Sequence, residues 1–563
     1  MKYNKYYILG VLATGLLATS CSELDTHPEG QLTGKQYAES LEKDPSLLAA
    51  SVSAINYTVA KEYCVFGQAS GRGDDFGWPA FCLSEGCNSA DITSVVSGYN
   101  WFSTASTFDD RNPEYANPYE RWAMFYNQIK ACNDLLDQIP AGTQNKKLKQ
   151  YMGIAKTVRA WDYLMLVQAY AKTYVGHKDD PAVPLYISKN EEGYAELTSA
   201  RQTVETIYNK IEKDLTEAAA ALDGFQRSDK TFVNQAVVFG LQARVALIKN
   251  NWSEAETLAQ KAIDAAAAEG IAPASIADVS KVGQMFYSIS ENNWMWGMSF
   301  LLSNIPSDGE YETWVSQISS LASYSYTTET GSYRAINSHL WNTISSTDVR
   351  KGWWVDENLS SPLIKGLQWS NSGESADLGR ACGNLVEFIP YTNVKFGCYN
   401  GELGTTHTCA DFPFMRVEEM YLIKAEAQAQ AGNDADATTT LESFVKTYRD
   451  PSYSVASAPV QNLVDEIWRQ RRIELWGEGF AISDVMRLKK PVVRFLTLEG
   501  EKGNFPSAWQ FNIPAEDDIL LNIIPTDEIN GNDAISESDQ NPTRSVPSMG
   551  EHPELRDGVT DNF

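Results

Sequence analysis

The stretch from Asp411 to Arg487 limits the fold more than any other, because its helices must bury charge. In the helix expected over 463–476, Val464, Trp468, Arg471 and Leu475 fall on one stripe. Arg471 therefore lies on an otherwise apolar face. A guanidinium buried alone is costly, and Glu474 in the next turn is the partner that the spacing offers. The competing role for Glu474 and Glu478 is a catalytic carboxylate pair. Adjacent turns of one helix point both groups the same way, whereas glycoside hydrolysis needs them on either side of a bond. A structural ion pair is the better reading. Upstream, Phe414–Ala431 is dense in strong helix formers, and Gly432-Asn433 supplies a stop. Leu441, Phe444, Val445 and Tyr448 then mark the buried face of a second helix. Ala425, Ala427 and Ala429 let the two approach closely. Such an antiparallel pair needs neighbours.

Three segments of this stretch, Arg416-Val-Glu-Glu-Met-Tyr-Leu-Ile-Lys-Ala-Glu426, Arg471-Arg-Ile-Glu-Leu-Trp-Gly-Glu-Gly479 and Asp484-Val-Met-Arg487, together resemble the C-terminal signature of the SusD/RagB family. Phe480-Ala481-Ile482 matches loosely where the family has an aromatic or basic residue. Val183-Pro-Leu185, Asn522-Ile-Ile-Pro525 and Gln540-Asn-Pro542 resemble it elsewhere. These are surface glycan-binding lipoproteins of Gram-negative nutrient uptake. The resemblance implies a mainly α fold, with tetratricopeptide-like helix pairs carrying an inserted loop-rich ligand-binding subdomain. It implies a cell-surface place on the outer membrane and an oligosaccharide or polysaccharide ligand. It also implies a SusC-like TonB-dependent transporter, which this protein closes as a lid. No cofactor is implied; a structural calcium ion in the subdomain stays open. Two other readings stand beside this one: a peptide-binding lid of the same transporter type, and a surface glycoside hydrolase.

The N-terminus reads as a leader. Lys2 and Lys5 precede a short apolar run, Tyr6 to Leu17, and Ala18-Thr19-Ser20 lead to Cys21. This resembles a lipobox, with Ala18 where Leu is usual. It makes residues 1–20 a signal peptide, Cys21 the lipidated residue and 21–45 a tether. An ordinary secretory signal that happens to contain a cysteine is the alternative. Several acyl chains on one Cys anchor far better than one. A formal net charge of −27 argues against nucleic acid and against direct contact with anionic lipid.

Of the other cysteines, Cys132 follows Trp122, Phe125 and Ile129 on a helical stripe and reads as a buried thiol. Cys64, Cys82 and Cys87, and likewise Cys382, Cys398 and Cys409, fall in two loop-rich clusters compatible with disulfides. None has the spacing of a zinc site.

Helical patterns are expected over 47–66, 119–139, 148–174, 204–222, 234–249 and 253–268, with Ser199 to Gln202 as a capping box for the fourth. The interval Ala243 to Ala255 recurs as Ala425 to Ala437, each crossing a turn, as in tetratricopeptide-like repeats. The helical region 46–270 holds a loop-like stretch over 67–118. A loop-rich subdomain of short helices and hairpins follows over 271–411, and a C-terminal helical region with its tail over 412–563.

Searches for catalytic motifs find no HExxH, no GxSxG and no complete phosphate-binding loop. A binding constellation remains. A sugar presents C–H patches ringed by hydroxyls, so its receptor needs aromatic faces beside planar hydrogen-bonders. The 67–118 stretch offers Arg72, Asp74, Asp75, Trp78, Tyr99, Asn100 and Trp101; the resemblance implies ligand contacts from this loop and from the later subdomain, with Trp101 beside Asn100 and Asp75 beside Arg72 as the best matches. The subdomain adds Trp314 and Tyr324. Core packing is the competing fate for each tryptophan.

Overall fold

The computed structural model describes residues 32–98, 100–301, 313–323, 325–370, 372–376, 386–497 and 503–563. The expected leader and Cys21, together with Tyr99, Tyr324 and Cys382, lie outside them. Among the described residues, helices of seven residues or more are α1 (Gly34–Lys43), α2 (Ala49–Tyr57), α3 (Trp78–Asn88), α4 (Ala116–Gln138), α5 (Lys146–Tyr170) and α6 (Val204–Ala221). They continue with α7 (Gln235–Ile248), α8 (Trp252–Ala268), α9 (Val417–Gln430), α10 (Asp434–Tyr448), α11 (Leu463–Glu474) and α12 (Ala481–Arg487). The strands are β1 (Ile92–Thr93), β2 (Pro181–Pro184), β3 (Arg201–Thr203), β4 (Trp294–Met298), β5 (Ala335–Ile336) and β6 (Phe412–Arg416).

The protein is mainly α, built from stacked helix pairs. From α4 to α8 each helix packs on the next, and α8 then packs on α9, which also meets α10 and α11. The stack is thus interrupted in sequence by 271–411 but continuous in space. Ala243, Ala255, Ala425 and Ala437 are fully buried within the helices that flank the turns of their pairs. On α5, a Cβ added at Gly153 would lie 2.9 Å from Leu222 Cγ, so only glycine allows that approach to the end of α6. Asn145, Asn234 and Asn462 cap α5, α7 and α11 with side-chain oxygens. Thr203, rather than the expected Ser199–Gln202 box, caps α6.

Four local expectations change, each because tertiary burial overrides a local pattern. The helix expected from Phe414 starts at Val417, since Phe412–Arg416 pairs antiparallel with Trp294–Met298. The first expected helix stops at Tyr57, and Tyr63 turns with φ 49°. The loop-like stretch 67–118 contains α3, whose residues are all buried. A helix surrounded by core shows no amphipathic period, which hid it. Finally, the strands pair over long range instead of in hairpins within 271–411: β4 with β6, and β1 with β5.

The insert's tryptophans build its core. Trp294, Trp296, Trp314, Trp353, Trp354 and Trp369 are all buried. Cys64, Cys82, Cys87 and Cys398 are free buried thiols, so the disulfides considered for them do not form; Cys132 is buried and free as expected. The tail is pinned by its amides. Asn541 Nδ2 donates to Tyr170 O at the end of α5 and to Asn522 O, both at 2.8 Å. Gln540 exchanges two bonds with the backbone of Ile524.

Candidate functional site

The carboxylates first weighed as catalysts are locked in the core. Glu474 accepts from Arg449 Nε at 2.8 Å, Arg416 Nη1 at 3.1 Å and Arg350 Nη1 at 3.2 Å. Glu478 accepts from Arg416 Nε and Lys395 Nζ, each at 2.7 Å. Burial alone would push Glu474 up, but Arg449, Arg416 and Arg350 outweigh it and hold its carboxyl well below the usual range. Burial likewise works against ionised Glu478, and Arg416 and Lys395 reverse it. Burial brings Lys395 down to about 8, against the pull of Glu478. Arg471 does not pair with Glu474. It donates to Asp484 at 2.9 and 3.1 Å, because α12 folds back across its face. That Arg471 takes part in a buried ion pair was legible; its partner, and the network around Glu474, were not.

A different arrangement stands at the surface of the 63–119 region. The Arg72 guanidinium lies 5.3 Å from the Phe66 ring centre and 5.7 Å from that of Trp101. Phe66 meets Tyr119 at 5.7 Å. Arg72 donates to Asp74 at 2.6 Å, and Asn117 Nδ2 donates to the same oxygen at 2.7 Å. Trp101, Phe66, Tyr119, Arg72 and Asn117 are all half-buried, and Tyr115, just ahead of α4, is exposed. The indole of Trp101 lies across Gly73, where a Cβ would sit 2.6 Å from Nε1. Any side chain there would displace the ring. Below the rim, Asp74, Asp75 and Glu120 are buried together; burial first, then Asp74 and Asp75, raise Glu120 well above the usual carboxylate range.

Among the expected site residues that are described, the structure brings Arg72 and Trp101 together, while Asp75, Asn100, Trp78 and Trp314 are buried in other contacts. Asp75 does not pair with Arg72. Its carboxylate is buried and accepts the Val65 and Phe66 N–H groups at 2.9 and 2.8 Å, which fixes the loop carrying Phe66. Asn100 is buried and occupied: its Oδ1 accepts from Phe102 N–H and from Arg334 at 2.7 Å. Trp78 packs against Trp161 at 5.0 Å in the core. Trp314 is buried between Phe396 and Phe412, with Nε1 donating to Ala410 O at 2.7 Å. Neither ring has a face to offer a sugar. Phe66, Tyr115, Asn117 and Tyr119 were missed. Tyr115 and Asn117 lay unremarked in the loop-like stretch, and Tyr119 read only as the start of a helix. Among the described residues no group of three or more His, Cys, Asp or Glu could hold a metal ion.

Comparison with known proteins gives a consistent result. A SusD-like family model described as "Starch-binding associating with outer membrane" matches residues 83–247, and one described as "SusD family" matches 383–543. A SusD-like protein of Formosa agariphila is 21% identical over 513 residues, covering 86% of this chain and 90% of that one. Among solved structures, a SusD-like carbohydrate binding protein of Bacteroides vulgatus superposes with a TM-score of 0.64 at 22% identity, covering 89% of this chain and 99% of that one. A SusD superfamily protein of Bacteroides thetaiotaomicron gives a TM-score of 0.64 at 20% identity, covering 88% and 99%. These structures share the fold.

Proposed function

Because the chain belongs to the SusD/RagB family, we propose that it is a lipid-anchored protein of the outer-membrane surface that captures an oligosaccharide and passes it to a SusC-like TonB-dependent transporter. The observation that carries the ligand class is the rim formed by Trp101, Arg72, Phe66 and Tyr119. Aromatic faces there alternate with a guanidinium and an amide. This suits a ligand whose C–H face stacks while its hydroxyls bridge planar donors and acceptors. The rim stays the proposed site, with Trp101 as the stacking platform, Arg72 as its cationic neighbour and Asn117 as a polar flank.

Binding without turnover is part of the same reading. Glu474 and Glu478 are committed to arginine and lysine in the core, far from a geometry that flanks a glycosidic bond. The anchor is Cys21, on the motif alone. The transporter partner follows from the family, and the supporting experiment is recovery of an integral β-barrel protein after gentle detergent extraction and pull-down. A clean monomer in several mild detergents would count against it. The ligand class is tested by a glycan-array screen of the purified protein. Binding to glycans of one linkage class supports it; binding confined to peptides would move the protein to the peptide-lid reading.

A further inference from the structure

The rim at Trp101 carries a charge pattern that narrows its ligand further than its aromatic faces do. Its guanidinium is already answered. Arg72 donates to Asp74 Oδ2 at 2.6 Å, and Asn117 Nδ2 donates to the same oxygen at 2.7 Å. The partners differ in depth, since the Arg72 side chain is 22% exposed and that of Asp74 only 3%. Asp74 therefore acts on the rim from beneath, through the cation that it neutralises.

The other charges of this region add to the negative side. Asp75 and Glu120 are buried with Asp74. Burial, followed by Asp74 and Asp75, holds Glu120 toward its protonated form. Arg121, beside Glu120 in the chain, is spent on Asp110 at 2.7 Å and on Asn522 at 2.8 Å. On the outside, Glu114 is exposed next to Tyr115, and Lys61 is exposed ahead of the turn that leads to Phe66. Arg72 and Lys61 thus stand against Asp74, Asp75 and Glu114.

We propose that Asp74 makes the rim a site for neutral oligosaccharides and turns away glycans that carry carboxylates or sulfates. This inference rests on the carbohydrate reading and sharpens it. A sugar hydroxyl needs only a hydrogen bond from Arg72, which a guanidinium paired on one side can still give through its remaining N–H groups. A ligand carboxylate needs the charge as well. To obtain it, the ligand must displace Asp74 or share Arg72 with it. Displacement strands a buried carboxylate, and sharing sets two anions against one cation. An amino sugar gains no more, because the Asp74 oxygen at the rim already accepts from Arg72 and Asn117 together.

The test compares hexasaccharides of glucose, mannose and galactose in two forms, neutral and with the primary hydroxyls oxidised to carboxylates. Calorimetric titration of the purified protein should show the neutral form binding about tenfold or more tighter than its oxidised counterpart. A factor of ten is about 1.4 kcal/mol, the order of one hydrogen bond to a charged group. Asp74→Asn keeps the shape and an oxygen for Arg72 and Asn117 while removing the charge. It should narrow the ratio about tenfold, by improving binding of the oxidised form. Salt gives a second reading on the unaltered protein: affinity for the oxidised form should rise with ionic strength, because screening weakens repulsion. If Asp74→Asn melts early, the salt dependence decides. Wild type that binds the oxidised form as tightly or more tightly would overturn the proposal. So would an unchanged ratio in a folded Asp74→Asn protein, or affinity for the oxidised form that falls with salt. Two results separate this inference from its premise. No binding of any hexasaccharide in either form would sink the carbohydrate reading and this inference with it. Neutral binding that Trp101→Ala leaves unchanged would place the sugar elsewhere and remove Asp74 from its selection.

Discussion

Replacing Trp101 by Ala separates the binding role of the rim from a packing role. The indole is half-buried, lies over the backbone of Gly73 and faces the Arg72 guanidinium at 5.7 Å. On binding, the variant loses a stacking face worth on the order of 1 kcal/mol beyond simple area burial, plus the area itself. Since 1.4 kcal/mol is a factor of ten, affinity should fall about tenfold or more. On stability, a fully buried Trp→Ala change costs about 3–5 kcal/mol. A half-buried ring that packs in part against the main core, as well as over Gly73 and beside Arg72, should cost less than that, about 2 kcal/mol. In a chain of 563 residues that moves the melting temperature by only a few degrees, because the unfolding entropy grows with size. Calorimetric titration with a glycan identified on the array, paired with a melting curve of the same variant, reads both. Trp101→Phe should recover part of the loss in affinity. Unchanged affinity for Trp101→Ala would remove the residue from the site. A collapse in melting temperature would place it in the core and refute the division of roles.

The remaining predictions concern the anchor, catalysis and pH. Cys21→Ala should shift the protein from the membrane fraction to the soluble fraction or leave it unprocessed; normal retention with fatty-acid labelling would refute anchoring at that residue. Incubation with a glycan that it binds should release no new reducing ends, and turnover abolished by Glu474→Gln would establish an enzyme instead. Glu191 accepts from Arg159 at 2.7 Å and pairs with Lys210. Burial works against its charge, but Arg159 and Lys210 bring its carboxyl down to about 2. A depressed carboxyl adds stability that is present above its unfolded value, near 4.3, and is lost as pH falls through the folded one. The stability gap between wild type and Glu191→Gln should therefore be on the order of 1–3 kcal/mol at pH 7 and close between about pH 4 and 2; denaturant melts of both proteins that keep a constant gap over that range would refute it.

What the sequence by itself determined is the part written in local pattern. Helix periods, the turn at Gly432-Asn433 and the spaced alanines specified the paired helices, because amphipathicity and small-residue contacts repeat at fixed intervals along one chain. Arg471 was recognisable as a buried charge in need of a carboxylate for the same reason, whereas Arg416, Glu426 and Asp484 stood out only as residues of the motif. Only the tertiary structure decided which partners they take, since Arg471 meets Asp484 through the reversal of α12, and Glu474 meets Arg350 and Arg449 from distant segments. The same holds for α3, which looked like loop because a helix buried on every side carries no period. It holds as well for the tryptophans. Trp78, Trp101 and Trp314 have the same chemistry in sequence, yet two lie in the core and one at the rim. Which side of an aromatic ring remains open depends on segments that arrive from elsewhere in the chain, here Trp161 and Phe414 for Trp78, and Phe396 and Phe412 for Trp314.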